Sequence, residues 1–265
     1  MELSSVFQAL ALGAGVGLLQ TMVGLGGGVL LVPMLPLIVG MNSRAAVATS
    51  LMAMGPIALS NAIRLTRRGE IEWNRAVPLG LAAAASAWWA ARATGLVDQK
   101  TLVIAYSLVV GAMAAQALGR PAHERYRLPQ WLDLPVGLFV GMVSGFTGVS
   151  GGVVNTPYLS RVSSIPAKKV IPTSLGAFTL ISASGATSFL LEASGGVREL
   201  IAGKLSGQAE LVRIELIIPI VIGAFVSSTF GIRLQPKLSP RIRLAGLGVL
   251  LLGLCAQSIF KALHM

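Results

Sequence analysis

Two short stretches decide how this chain folds: Gly24-Leu25-Gly26-Gly27-Gly28-Val29 and, 124 residues later, Gly148-Val149-Ser150-Gly151-Gly152-Val153. Each interrupts an otherwise apolar run, and each is followed by a proline, Pro33 and Pro157. The match extends without a gap from Gly13 to about Ser60, where Thr49-Ser50-Leu51 falls on Thr173-Ser174-Leu175 and Ser60 on Ser184. Further on the offset becomes 141: Pro78 meets Pro219, Arg92 meets Arg233, and Ala115-Gln116 meets Ala256-Gln257. The change of offset places an insertion of about 17 residues in or near 194–210, the most polar stretch of the second half. A duplicated unit fixes the frame for the rest of the chain.

The surroundings of these stretches are those of a membrane protein. Of 265 residues, 54% are apolar and only 12% charged, with a mean hydropathy of +0.76. Soluble domains carry about 25% charged residues. Within lipid only helices or closed barrels satisfy the backbone. Runs such as Thr101–Leu118 and Arg243–Phe260 do not alternate, so the fold class is an all-α polytopic membrane protein. Ten apolar segments are expected, at about 5–23, 27–40, 45–65, 76–95 and 101–118, then 134–147, 151–160, 170–191, 214–232 and 243–260. The first membrane repeat spans 1–120, a cytoplasmic linker 121–132, and the second repeat 133–265. No basic region precedes the first apolar stretch, which runs on to Gly40; it is too long for a cleaved signal and is expected to stay in the mature protein.

The glycine stretches divide the first two segments of each copy. In the second copy these offer 14 and 10 residues. Ten helical residues reach about 15 Å, half of a bilayer core of about 30 Å. A re-entrant hairpin fits that length better than two full spans. Each copy is then a broken helix pair plus three spanning helices. An odd number of crossings per copy makes the two copies inverted. Charge supports this reading. One side receives the basic residues of 64–75, 120–127, 161–169 and 233–243, fourteen of the 21 Lys and Arg. The other receives Arg44, Arg92, Lys100, Arg198, Lys204, Arg213 and Lys261. A parallel arrangement gives no such bias. Positive residues mark the cytoplasmic side, so both termini and the insertion are expected outside.

Inverted repeats with interrupted helices point to secondary transport. A helix restarting at about Gly27 or Gly151 presents free N–H groups and the positive end of its dipole. Two such ends facing each other form an anion site without a basic side chain. The candidate substrate-binding residues are Gly24, Gly26, Gly27 and Gly28 with Thr49 and Ser50, and Gly148, Ser150, Gly151, Gly152 and Asn155 with Thr173 and Ser174; Thr156 adds a further hydroxyl. The alternative for the glycines is close helix packing, for the hydroxyls a bond to their own backbone, and for Arg92 and Arg233 a reach to the membrane interface. No Asp, Glu, Lys or His lies clearly inside an apolar segment; Asp133 and Glu215 sit at edges. Intramembrane carboxylates mark proton or sodium coupling, so a small anion moving without a coupled ion is the favoured substrate. The single cysteine, Cys255, excludes an intramolecular disulfide and a cysteine metal cluster. No cofactor or metal is implied. No nucleophile or acid–base pair stands in the membrane segments, which argues against an enzyme. The net charge of +11 belongs to loops rather than to a nucleic-acid surface, since no basic cluster is interleaved with aromatics. The expected partners are a small anion and the lipid bilayer, compatible with a homo-oligomer.

At these residues the chain resembles the sulfite exporter TauE/SafE family, also called toluene-sulfonate uptake permeases. The resemblance rests on Gly24 to Pro33 followed by Ala48-Thr49-Ser50, and on Gly148 to Pro157 followed by Pro172-Thr173-Ser174. Ala48 and Pro172 stand where the family often has glycine, and Ser150 departs within the second break. The resemblance implies a bacterial inner-membrane permease for small sulfur-containing anions such as sulfite, thiosulfate, sulfonates or sulfoacetate. Export is the expected direction, with import coupled to protons or sodium, or a non-transporting scaffold, as alternatives.

Overall fold

Gly28–Val39 and Gly152–Arg161 are short helices that begin at the two glycine stretches, and the rest of the chain is arranged around them. The computed structural model describes residues 3–23, 27–118, 125–195, 214–234 and 240–263. Gly24 and Gly26, most of the insertion and part of the linker lie outside the described residues. Ten helices are present among the described residues: α1 Leu3–Val23, α2 Gly28–Val39, α3 Ser43–Arg67, α4 Trp73–Ala93, α5 Gln99–Leu118, α6 Asp133–Thr147, α7 Gly152–Arg161, α8 Ala167–Ser194, α9 Ile214–Leu234 and α10 Pro240–Leu263. The starts of α2 and α3 map onto those of α7 and α8 at an offset of 124, and the starts of α4 and α5 onto those of α9 and α10 at 141. The expected segments coincide with these helices. α4, α8 and α10 each start three residues earlier than their apolar stretches; in α8, Lys168 and Lys169 end the hydropathy but not the helix, whose N-cap is Pro166.

Side chains show how the helices run. Arg44 pairs with Glu192, Leu51 lies against Gly185, and Gly55 faces Ser182, so α3 and α8 are antiparallel. Ser184 donates to the Ala84 carbonyl at 2.6 Å and Ser188 to that of Trp88 at 3.1 Å, so α4 runs parallel to α8. Cys255 meets Ser107 and Gly248 meets Leu118, making α5 and α10 antiparallel. Arg64, near the end of α3, donates to Thr229 at 3.0 Å and lies over the Phe225 ring, which puts the end of α9 beside the end of α3.

The first helix of each half packs on the fourth helix of the other. Gly13 and Gly17 of α1 lie directly on the carbonyls of Ile220 and Ala224 in α9. Gly137 and Gly141 of α6 lie on those of Leu79 and Ala83 in α4. These four contacts are equivalent at the 124 and 141 offsets. At all four positions a Cβ would collide with backbone, so glycine is what lets the helices approach. In the three-residue loop into α3, Asn42 caps the helix by accepting from Ala45 N–H at 2.7 Å. The two ends of the molecule are the Arg75 end, where α4, α6 and α8 start, and the Arg44 end, where α3 starts and α4 and α8 finish.

Large apolar side chains cover the outside: Leu81 and Trp89 on α4, Leu138 and Met142 on α6, Ile222 and Phe230 on α9, and Val249 and Phe260 on α10 are all exposed. Among the described residues, three helices, α3, α5 and α8, are long and apolar enough to cross a membrane. Prolines stand inside α2, α3, α4, α7, α8 and α9, a pattern tolerated in membrane helices because neighbouring groups take up the freed carbonyls.

Candidate functional site

α6 and α7 form a hairpin that enters and leaves at the Arg75 end. The turn is made by Gly148, whose φ of +69° suits glycine and whose N–H closes α6 on the Ser144 carbonyl at 2.9 Å. The Ser144 hydroxyl donates to the Val149 carbonyl at 2.7 Å. The chain returns far enough for Tyr158 to reach Asp133, the first residue of α6, at 2.6 Å. α1 lies parallel to α9 and starts at the Arg44 end, and α2 finishes there, three residues before α3.

The two short helices begin at one depth. Gly27, the N-cap of α2, lies against Val16 and Met54; Gly151, the N-cap of α7, lies against Val140 and Ile181. Met54 adjoins Gly55 and Ile181 adjoins Ser182, which face each other where α3 and α8 cross. From this level α2 runs to the Arg44 end and α7 to the Arg75 end, so both N-termini point to the centre. Neither N-cap carries a side chain that accepts the first-turn amides, because both are glycine. Gly27, Gly28, Gly151 and Gly152 are all buried.

The two breaks also touch. A Cβ at Gly28 would collide with the Gly148 carbonyl and lie 3.0 Å from Ser50 Oγ. Ser50 donates to that same carbonyl at 3.0 Å. The structure therefore brings Gly28, Ser50 and Gly148 together, from three segments singled out in the sequence. Ser174, at the position equivalent to Ser50, is buried and accepts from Thr156 at 3.4 Å. Ser150 is buried. Thr173 is engaged elsewhere: its hydroxyl accepts from the Glu72 N–H at 3.1 Å, in the loop before α4. Arg92 is exposed and lies over Trp88, and Arg233 is exposed at the end of α9.

Among the buried side chains that find no protein partner are Thr49 and Ser182 through their hydroxyls and Asn155 and Gln20 through both amide atoms. Asn155 lies next to the α7 N-cap, with Nδ2 3.2 Å from where a Gly151 Cβ would stand. Ser182 escaped the sequence reading, which noted Ser184 instead because only Ser184 recurs in the other half. Tyr106 also escaped it. Its hydroxyl donates to the Val29 carbonyl in the first turn of α2 at 2.5 Å, and its equivalent in the second half is Leu247, so the repeat gave no signal. Ser144 escaped it as well, although its equivalent, Gln20, is likewise polar and four residues ahead of the break. Asp133 stands at a helix edge as expected but is wholly buried. No group of three or more His, Cys, Asp or Glu side chains suited to a metal exists among the described residues.

Comparison with known proteins agrees with this architecture. Residues 9–257 match the family model described as Sulfite exporter TauE/SafE. A protein of Xylella fastidiosa named "Probable membrane transporter protein" is 27% identical over 251 residues, covering 85% of this chain and 96% of that one. A protein of the same description from Methanocaldococcus jannaschii is 25% identical over 237 residues, covering 85% of each. No solved structure matches. A match over nearly the whole chain, spanning both glycine breaks, makes this protein a member of the sulfite exporter TauE/SafE family.

Proposed function

We propose that the protein is a membrane permease for small sulfur-containing anions, of the sulfite, thiosulfate, sulfonate or sulfoacetate type, held between the N-termini of α2 and α7. One observation carries this reading: two buried helix N-termini, without capping side chains, start at the same depth beside the unpartnered Asn155 and Ser182. Such ends attract negative charge and offer N–H donors to oxygen atoms. The sulfur chemistry comes from the family. The related proteins, named as probable membrane transporters, support the transport role.

The two halves are read as inverted repeats working by alternating access. The antiparallel pairing of α3 with α8 and of α5 with α10, each helix being the other's repeat equivalent, supports the inversion. With the Arg75 end in the cytoplasm, fourteen basic residues lie inside, and both termini lie outside a bacterial inner membrane. Export of an anion is driven by the membrane potential alone, about 2.3 kcal/mol per charge at 100 mV. A scaffold role predicts breaks packed shut with their polar groups satisfied. The breaks do touch, but a buried polar group without a partner costs about 1–3 kcal/mol, and the unpartnered Asn155 and Ser182 beside the two N-termini suit a ligand better than a spacer.

The test is flux in proteoliposomes with labelled sulfite, thiosulfate and a sulfonate at clamped potential. Flux of at least one, reduced tenfold or more by Gly27→Leu or Gly151→Leu in folded protein, is the expected result. Equal flux in protein-free vesicles for all three would refute the reading.

A further inference from the structure

The hairpin of α6 and α7 is fastened at its open end by side chains that the other hairpin lacks. Asp133 accepts from Arg75 Nη1 at 3.2 and 3.3 Å and from the Tyr158 hydroxyl at 2.6 Å. Arg75, itself buried, gives its second terminal nitrogen to the Leu128 carbonyl at 2.5 Å. One polar knot thus joins α4, α6, α7 and the segment before α6. Lys169 at the start of α8 pairs with Glu72 just before α4, at 2.7 Å.

The duplicated fold supplies its own control. The repeat equivalents of Asp133, Tyr158 and Arg75 are Ala9, Met34 and Leu216. All three belong to, or pack against, one apolar cluster. The fold therefore closes this corner of a hairpin with three apolar side chains. A buried ion pair is commonly no more stabilising than the apolar residues that replace it, so the knot is not required for packing. It also ties down one hairpin only: at the Arg44 end the ion pair Arg44–Glu192 joins α3 to α8 instead. At the Arg44 end, α2 borders a cleft of about 460 Å³ lined by Pro36, Ser43 and Tyr106 among others. One hairpin is clamped while the other flanks open space.

We infer that Arg75, Asp133 and Tyr158 are positioning residues that hold the Arg75 end closed, and that separation of the Arg75–Asp133 pair releases α7 and opens the central site toward that end. The inference rests on the transport reading: these residues act on the anion only through α7, whose first turn carries Gly152 and Asn155.

The test uses the full chain in nanodiscs and proteoliposomes, with amide hydrogen exchange over 152–161 and anion flux as separate readouts. Asp133→Asn is expected to raise exchange in α7 about tenfold, and Asp133→Glu to restore it toward wild type. The triple variant Asp133→Ala, Tyr158→Met, Arg75→Leu copies the other hairpin. It is expected to fold, to exchange no faster than wild type, and to lose flux tenfold or more because α7 is no longer released. Triple-variant flux within twofold of wild type, or α7 exchange unmoved by Asp133→Asn, overturns the inference. If the triple variant does not fold, Tyr158→Phe takes its place: faster exchange in α7 supports the clamp, and unchanged exchange refutes it. Exchange needs no substrate, so a wild type that carries none of the anions tried would count against the transport reading while leaving the clamp decided.

Discussion

Asn155 costs the fold stability where it stands. Its amide is buried without a partner, a burden of about 1–3 kcal/mol, whereas the equivalent residue in the first half is Leu31, wholly buried in the core. Asn155→Leu is therefore expected to raise the unfolding free energy by about 1–2 kcal/mol while lowering anion flux. A thermal-shift series in detergent beside the flux assay checks both, and a variant that is both less stable and fully active would refute the role. Ser50→Ala should cost about 1 kcal/mol, the value of a typical hydrogen bond, by freeing the Gly148 carbonyl. Asn155 and Ser50 were legible in the sequence because they sit on or beside a motif that occurs twice. Ser182 was not. Hydroxyls in these helices usually bond back to their own turn, as Thr179 does to Leu175 and Ser107 to Val103, and a sequence cannot tell which of them will not.

At the scale of helices, glycine does two different jobs. In α1 and α6 it removes side chains so that a second helix can lie on the backbone; at the breaks it turns the chain and leaves amides uncovered. Packing glycines should resist any enlargement. Gly141→Ala would drive a Cβ into the Ala83 carbonyl and is expected to destabilise by about 1–3 kcal/mol. Gly253→Ala meets nothing within 4 Å and should stabilise α10 by about 0.5–1 kcal/mol. Unfolding of the two variants in the same detergent distinguishes them, and equal effects would show that the α4–α6 approach is not tight. The helix boundaries were readable from hydropathy and the repeat. The pairing of α1 with α9 and of α6 with α4 was not, because it depends on which small faces meet, and small residues are abundant in all four helices.

For the whole molecule, the reading places Lys100 and Arg67 on opposite faces of the membrane. In a Cys255→Ser background, Lys100→Cys should react with an impermeant thiol reagent on intact cells, and Arg67→Cys only after permeabilisation. The reverse pattern would invert the molecule and place the Arg75 end at the outer face. The crossed packing of α1 on α9 and of α6 on α4 reaches further, to how the protein is made. The face of α1 that seats on α9 has to wait in the bilayer until some two hundred more residues have been synthesised. Neither half can complete its interior alone, so assembly is a late, single event. A chain cut after α8 should present an unpaired glycine stripe to the cell's membrane proteases, while two separately expressed halves could rescue each other by meeting in the lipid.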